Sequence, residues 1–238
     1  MPKIKHIALS LLSLGSFAFG AIDKEKFQIG KKLYEQTCIS CHGVDGKANT
    51  GLKLIVKPRD LSLTPLSEEQ TYLITKDGAR YWGAKADIMP SFKYVFNEEQ
   101  LRSIAYYISK NFNPDLDQRI ETLCSKYEQE PKDQDEKLLK WGKKIFNRNC
   151  KYCHGKEGIG DGEATKNPVD SIYPYNLTKT LLTKKQIFLY VKYGGQYFGT
   201  DKNDMPSWKN KYNDFKLHGV AKYIDEVIRN KDFKNSKE

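Results

Sequence analysis

The sequence predicts an all-α protein made of two tandem copies of one small domain. Residues 30–34 (Gly-Lys-Lys-Leu-Tyr) recur as residues 142–146 (Gly-Lys-Lys-Ile-Phe), and Met-Pro-Ser at 89–91 recurs at 205–207. The matches keep one order, at an offset of 112 residues early in each copy and 116 further on, so the second copy carries a four-residue insertion. An ordered match of this length indicates a duplicated domain. The 238 residues are enough for two domains of roughly 100 residues each.

The pattern within each copy predicts helices joined by loops. One helix should begin at Ser67, with Gln70 at the spacing of a capping box, and its counterpart at Thr183, with Gln186 three residues on. The last helix of each copy follows an asparagine and carries apolar residues at helical spacing. These residues are Leu101, Ile104, Ala105 and Ile108 after Asn97, and Leu217, Val220, Ala221 and Ile224 after Asn213.

An acidic linker separates the two copies. We predict domain 1 over residues 21–112, the linker over 113–136, and domain 2 over 137–238. The linker contains 3 basic and 8 acidic residues. Its apolar residues recur at helical spacing, at Leu116, Ile120, Leu123 and Tyr127. We therefore expect a short helix packed between the domains.

Both copies contain the pattern Cys-x-x-Cys-His, at residues 38–42 and 150–154. This spacing is the attachment signature of a c-type haem, in which the cysteines form thioethers and the histidine lies beneath the iron. Cysteine pairs also occur in redox dithiols and zinc sites, and two pairs could together form a Cys₄ zinc site. The histidine in both copies, the glycine after it, and the export signal described below favour haem.

These patterns, with a Met-Pro pair downstream of each, resemble the class I cytochrome c family, and the two-copy layout resembles a dihaem cytochrome c. The resemblance covers nearly all of residues 22–230. It implies two tandem class I cytochrome c domains, each a few helices wrapped round a covalently bound haem. The haem would form much of the core that so small a domain could not build from side chains alone.

The resemblance also implies the haem-binding residues. Two haem c groups, each with its iron, would be attached through Cys38 and Cys41 in domain 1 and through Cys150 and Cys153 in domain 2.

The axial ligands of the irons follow from the same resemblance. His42 and His154 would be the proximal ligands, and Met89 and Met205 the distal ones. A lone methionine more often serves core packing, but these two are the only methionines after Met1, and both precede Pro-Ser-aromatic at matching repeat positions.

Two prolines resemble a supporting feature of the family. Pro58 and Pro174 lie at equivalent positions, and the resemblance implies that the carbonyl of each accepts a hydrogen bond from its proximal histidine. Such a bond would orient the ring and raise its basicity. The alternative is that each is an ordinary loop proline.

Residues 1–20 have the features of an export signal. Two lysines precede an apolar stretch at 7–19, and Ala18-Phe19-Gly20 resembles a cleavage site. We expect cleavage after Gly20 and export to the periplasm or a similar compartment, with the mature protein soluble. An uncleaved anchor is the alternative, but the stretch is short for a membrane span. No stable membrane span is expected elsewhere.

Positive charge is concentrated in the second copy. The formal charge of the chain is +10, and residues 137–238 contain 21 basic and 11 acidic residues, whereas residues 21–112 contain 14 and 11. We expect redox partner proteins, with an acidic partner docking on domain 2. We expect no nucleic acid, because the chain is exported and contains no nucleic-acid motif.

The function predicted is single-electron transfer between a respiratory donor, such as a quinol-oxidising complex or a dehydrogenase, and a terminal oxidase or reductase. The chain would then be a carrier with no catalytic residue of its own. One alternative is the cytochrome subunit of a larger dehydrogenase. Another is a dihaem enzyme acting on peroxide or on a small sulfur compound, similar to thiosulfate dehydrogenases.

Two further residues stand outside these patterns. His218 has Arg102 as its repeat counterpart, which predicts an exposed position. Cys124 is the one cysteine outside the two motifs. A buried thiol is the simplest interpretation, with an intermolecular disulfide or an axial thiolate as alternatives.

Overall fold

The computed structural model describes residues 23–52, 56–84, 89–124, 133–166, 173–200 and 205–229, which contain helices and no strand. The predicted signal at 1–20 lies outside these residues. The first repeat contains α1 (Lys24–Thr37), α2 (Ile39–His42), α3 (Glu68–Asp77) and α4 (Glu98–Phe112). The linker contains α5 (Leu116–Cys124). The second repeat contains α6 (Asp135–Ile145), α7 (Lys151–His154), α8 (Lys184–Tyr193) and α9 (Asp214–Tyr223).

Shorter helical turns complete the second repeat. A π-helical turn at Phe146–Cys150 joins α6 to α7, and another at Ile224–Ile228 extends α9. Single 3₁₀ turns occur at Glu163–Lys166, Leu177–Lys179 and Gln196–Phe198.

The helix starts predicted from capping residues are confirmed. Ser67 and Thr183 each accept a hydrogen bond from the backbone of the glutamine three residues on, and that glutamine's side chain accepts one from the cap residue. Each box satisfies two backbone donors that the first turn of a helix leaves without a partner. Asn97 forms the same box for α4, whereas Asn213 caps α9 without the reciprocal bond because Lys216 occupies the third position.

The first and last helices of each repeat cross at a glycine. A Cβ added to Gly142 of α6 would lie 1.9 Å from the carbonyl oxygen of Gly219 of α9, and one added to Gly30 of α1 would lie 2.0 Å from that of Ser103 of α4. No larger residue fits at either crossing. Each crossing packs the helix that precedes the Cys-x-x-Cys-His motif against the last helix of the same repeat.

His218 is buried, and the prediction of an exposed position was wrong. Its side chain is 2% exposed, and its ring stacks on that of Phe188 with centroids 4.2 Å apart. The reason is that α9 packs against both α6 and α8, so this face of the helix is covered.

The linker helix α5 packs on the second repeat. Ile120 and Leu123 contact the core of that repeat, which includes Phe146, Phe188 and Leu217. Cys124 ends this helix.

The two repeats meet through reciprocal backbone hydrogen bonds. The Asp60 amide donates to the Gly199 carbonyl (2.9 Å), and the Asn176 amide donates to the Gly83 carbonyl (2.7 Å). At the offset of 116 residues, Asp60 is equivalent to Asn176 and Gly83 to Gly199. The two bonds are therefore related by an internal pseudo-two-fold axis. A Cβ on either glycine would lie 2.5 Å from the opposing carbonyl oxygen, so each glycine permits this close contact.

Candidate haem sites

The two Cys-x-x-Cys-His motifs form single helical turns that end at a glycine. In the first repeat, α2 carries Cys41 and His42, and Gly43 follows with φ 77°. In the second, α7 carries Cys153 and His154, and Gly155 follows with φ 78°. An L side chain is disfavoured at such a φ. The glycine after each histidine thus ends the turn directly beyond the candidate ligand.

Burial raises the pKa of three of the motif thiols, those of Cys38, Cys150 and Cys153. It raises the pKa of Cys38 to about 12, with Cys41 adding to the effect, and it raises that of Cys150 to about 12, with Cys153 adding. Redox dithiols and zinc sites use cysteines as thiolates, and these surroundings do not favour a thiolate. Across the described ranges, no three or more His, Cys, Asp or Glu side chains converge on one metal-binding position.

The candidate proximal histidine of the second repeat is oriented by a backbone carbonyl. His154 Nδ1 lies 3.0 Å from the carbonyl oxygen of Tyr175. With Nδ1–H donating to this oxygen, Nε2 is left as the nitrogen available to a metal. Burial lowers the pKa of His154, although the Tyr175 contact opposes the shift. The ring is therefore neutral at pH 7, the form that binds a metal.

The expectation for Pro174 was therefore wrong by one residue, because Tyr175 provides the acceptor. Neighbouring carbonyls of an extended chain point in opposite directions, so only one of the two can face the ring. The equivalent of Tyr175 in the first repeat is Arg59, the residue after Pro58. Burial lowers the pKa of His42, and the nearby backbone of Arg59 raises it and so offsets part of that lowering. The contact falls short of a hydrogen bond, since His42 Nδ1 is buried with no hydrogen-bond partner among the described residues.

The two candidate methionine ligands are held by the same backbone contacts. After α3, the Ala79 amide donates to the Met89 carbonyl (3.0 Å), and after α8 the Gly195 amide donates to the Met205 carbonyl (2.7 Å). Ala79 and Gly195 are repeat equivalents. Met205 is half-buried and packs on the core of the second repeat.

The serine after each Met-Pro pair fixes the same loop to the preceding helix. Ser91 Oγ donates to the Lys76 carbonyl and Ser207 Oγ to the Lys192 carbonyl, both at 2.7 Å. The following backbone amides continue the attachment, from Phe92 to Thr75 (3.1 Å) in one repeat and from Trp208 to Val191 (3.1 Å) in the other. The segment that begins at each methionine is thus fastened to the end of the preceding helix.

The residues present fit a covalently attached haem c. Each repeat supplies a half-buried histidine, two thiols one turn apart, and a methionine on an anchored loop. In both repeats the histidine ring lies beside the backbone of the residue that follows the proline, an arrangement that leaves Nε2 as the nitrogen available to an iron. In the first repeat, the Tyr34 hydroxyl also donates to the Gly43 carbonyl (2.7 Å), which ties the motif to α1.

Comparison with known families assigns the chain. Residues 25–108 and 138–224 both match the family model described as cytochrome c oxidase, cbb3-type, subunit III. The chain belongs to this family. The class I cytochrome c resemblance and the two tandem all-α cytochrome c domains are thereby confirmed. The protein is a c-type cytochrome of the electron-transfer class, and membership of the family implies covalently bound haem c.

Two relatives can be named. The chain is 22% identical over 204 residues to the cbb3-type cytochrome c oxidase subunit CcoP of Cereibacter sphaeroides, covering 82% of this chain and 59% of that protein. It thus spans less than two thirds of the curated relative. A chain of the reducing HAO-like protein complex of Kuenenia stuttgartiensis is 22% identical, with a TM-score of 0.45 and coverage of 83% of this chain and 94% of that one.

None of the helices within the described ranges is both long and apolar enough to cross a membrane.

Sequence reasoning assigned the carbonyl acceptors to Pro58 and Pro174 and not to the residues that follow them, Arg59 and Tyr175, which it considered only as side chains that could contact the haem. The signal available was their shared position, since each directly follows the proline of its repeat. It also did not find two interdomain contacts: Arg119 of the linker donates to the carbonyls of Ser62, Leu63 and Thr64 in domain 1, and the Tyr190 hydroxyl of domain 2 accepts a hydrogen bond from Arg59.

Proposed function

We propose that this chain is an exported dihaem cytochrome that transfers single electrons between a respiratory donor and a terminal oxidase or reductase. One haem c is attached at Cys38 and Cys41, and the other at Cys150 and Cys153. The irons are ligated by His42 and Met89 in domain 1 (residues 21–112), and by His154 and Met205 in domain 2 (residues 137–238). Residues 113–136 link the domains.

The observation that carries this proposal is the duplication of the methionine loop together with its anchoring bonds. Both loops are fastened through the same backbone and serine contacts. A loop held in this way keeps its thioether in place in both oxidation states. Both irons are then closed by two protein ligands, which suits a carrier better than an enzyme that needs an open iron.

Haem c supplies a one-electron ferric–ferrous couple. The protein's contribution is to hold that couple rigidly and away from water. The Tyr175 carbonyl fixes the ring of His154, and the helix crossings at Gly30 and Gly142 close each domain behind its motif. The thioether of methionine favours the reduced state and so raises the potential.

The surface beside the second motif supports docking of an acidic partner on domain 2. Lys151 and Lys156 are exposed on either side of the motif histidine, and Tyr152 between them is 60% exposed. Their counterparts in domain 1, Ile39 and Val44, carry no charge. Lysines around an exposed aromatic ring would steer an acidic surface toward domain 2.

The relative CcoP, named as an oxidase subunit, supports an oxidase as one end of the electron path. The export signal predicted at residues 1–20 supports export to the periplasm, where such a carrier would meet its partners. Copurification from the native membrane distinguishes a free carrier from a subunit of a larger complex.

Two measurements test the proposal. The intact mass of the mature holoprotein should exceed that of residues 21–238 by two covalently attached haems. The fully reduced protein should then bind carbon monoxide slowly or not at all, because a methionine closes each iron. Rapid binding at one haem would contradict the carrier function and favour the dihaem enzyme, to be screened with sulfur compounds and peroxide.

A further inference from the structure

Asn149, the residue directly before the second motif, joins that motif to the segment that follows Met205. Its Oδ1 accepts a hydrogen bond from Lys211 Nζ (3.0 Å). Its Nδ2 donates to the Tyr212 hydroxyl (2.8 Å) and to the Ile145 carbonyl (3.2 Å). The two N–H donors and the oxygen of this amide are therefore all engaged, and they connect segments 63 positions apart in the chain.

The segment that Asn149 holds is a compact turn close to Met205. Trp208 and Tyr212 pack on the core of the second repeat, which includes Cys150, and their rings stack with centroids 6.2 Å apart. The amides of Lys211 and Tyr212 donate to the Trp208 carbonyl, at 3.0 Å and 3.1 Å. A hold on Tyr212 is therefore a hold on the whole turn, which begins three residues after Met205.

The backbone at Asn149 also differs between the two domains. Phe146–Cys150 forms a π-helical turn, whereas the equivalent stretch of domain 1 lies at the end of α1 and is α-helical. Turns of the π type are rare and occur frequently at functional sites. The Asn149 contacts and the change of helix type thus occur at the same place, directly before Cys150.

Domain 1 cannot form the same contacts. The repeat offsets make Asn149, Lys211 and Tyr212 equivalent to Thr37, Val95 and Phe96. The side chains of valine and phenylalanine have no group that forms hydrogen bonds, and Val95 is 64% exposed. The link between the motif and the methionine segment is therefore a property of domain 2.

Domain 1 has an extra hydrogen bond on the other side of its candidate site. The Tyr34 hydroxyl donates to the carbonyl of Gly43, the residue after His42, and the equivalent of Tyr34 is Phe146, which has no hydroxyl. The extra bond of domain 1 thus holds the histidine side, whereas that of domain 2 holds the methionine side. The Met89 segment retains the backbone and serine contacts that both domains share.

We propose that Asn149 is a positioning residue for Met205, so that an external ligand displaces the methionine of domain 1 before that of domain 2. This inference rests on the proposed function, in which Met89 and Met205 each close an iron. A thioether leaves more readily when its segment can move away. In the exchange an iron–sulfur bond breaks, a bond to the external ligand forms, and no electron is transferred.

The test is the rate of carbon monoxide binding to the fully reduced holoprotein, followed by absorbance. Asn149→Thr and Tyr212→Phe each introduce the residue that domain 1 has at the equivalent position, so both are compatible with the fold. Each should speed binding at the domain 2 haem about fivefold, the factor that corresponds to one neutral hydrogen bond. In the unsubstituted protein, with denaturant added below the unfolding transition, the first equivalent should bind at domain 1.

A second background separates positioning of the methionine from a general loosening of the domain. Met205→Ala opens the domain 2 iron and identifies its signal. Adding Asn149→Thr to Met205→Ala should leave the rate unchanged, because no methionine remains to be positioned. A merely structural role would raise the rate in both backgrounds. Asn149→Asp should keep the rate near that of the unsubstituted protein, because its carboxylate accepts hydrogen bonds from Lys211 and from the Tyr212 hydroxyl.

Tyr94→Phe is the matched control, because it removes the hydroxyl of a tyrosine that is 89% exposed in the equivalent segment of domain 1. If Asn149→Thr and Tyr212→Phe both stay within the change seen in this control, the inference is wrong. Equal acceleration in the Met205→Ala background also overturns it. Unchanged binding in Met205→Ala itself would remove Met205 from the ligand set, which contradicts the proposed function, and this inference would fall with it.

Discussion

The side-chain amides of Gln70 and Gln186 hydrogen-bond to each other in both directions across the domain interface. Each Nε2 donates to the partner's Oε1 at 2.9 Å. Each Nε2 also donates to a backbone carbonyl of the other domain, Gln70 to Leu181 (2.7 Å) and Gln186 to Pro65 (2.6 Å). These residues are repeat equivalents, so the pair lies on the pseudo-two-fold axis. The same glutamines complete the capping boxes of α3 and α8.

Replacing either glutamine should therefore disturb a helix start and the interface together. Gln70→Ala and Gln186→Ala should each lower the free energy of unfolding by about 2–3 kcal/mol, because the buried partner amide loses its hydrogen bonds. Denaturant unfolding of the holoprotein measures this. Gln100→Ala is the control, since Gln100 completes the capping box of α4 at an exposed site, and it should cost about 0.5 kcal/mol. Equal losses in all three would mean that the interface contributes nothing.

The helix crossing at Gly142 predicts a strong steric effect. Gly142→Ala would place a Cβ 1.9 Å from the Gly219 carbonyl oxygen, which forces α6 and α9 apart. We expect a loss of about 3 kcal/mol in the free energy of unfolding, measured by thermal or denaturant unfolding. Lys143→Ala serves as control because Lys143 is the next residue of α6 and its side chain is exposed. The crossing would not be rigid if Gly142→Ala were as stable as wild type.

The methionine loops predict two separable spectroscopic effects. Met89→Ala should lower the potential of the domain 1 haem and open its iron to rapid binding of about one equivalent of carbon monoxide. Met205→Ala should do the same for the domain 2 haem. Each variant serves as the control for the other, since they should affect different haems. A variant with both potentials and carbon monoxide binding unchanged would remove that methionine from the ligand set.

The lysines beside the second motif predict salt-dependent association. Lys151→Glu with Lys156→Glu should slow binding to an acidic redox partner about tenfold at low ionic strength. The effect should fade as salt is added. The matched control is Lys31→Glu with Lys32→Glu on α1, which changes the charge equally on domain 1. Stopped-flow electron transfer measures both, and equal slowing would assign the effect to net charge instead of to a docking surface.

The sequence predicted the parts of the fold that depend on local chemistry. Ser67 and Thr183 specify their helix starts through a glutamine three residues away, and a pattern of that length is visible in the sequence. The acceptor for His154 was placed one residue early, because the direction in which a carbonyl points depends on the backbone conformation of its own loop.

Long-range packing was beyond the sequence argument. The burial of His218 follows from two helices covering α9, neither of which the pattern of α9 reveals. The partnership of Arg59 with Tyr190 joins residues 131 positions apart, and neither belongs to a repeated motif. The repeat offset makes Gln70 and Gln186 equivalent residues. Equivalence by itself does not predict that the two residues are in contact across the interface.

The reciprocal bonds of Asp60 with Gly199 and of Asn176 with Gly83 give the two domains of one chain the arrangement of a two-fold symmetric dimer. In a two-fold dimer of identical chains, a residue near the axis contacts the same residue of the other chain, so one substitution changes both sides of the interface at once. Duplication within one chain removes this constraint, because each half has its own codons and can be substituted independently of the other. Arg59 and Tyr175 occupy equivalent positions but are different residues. Independent substitution of this kind gives the two equivalent candidate haem sites different surroundings.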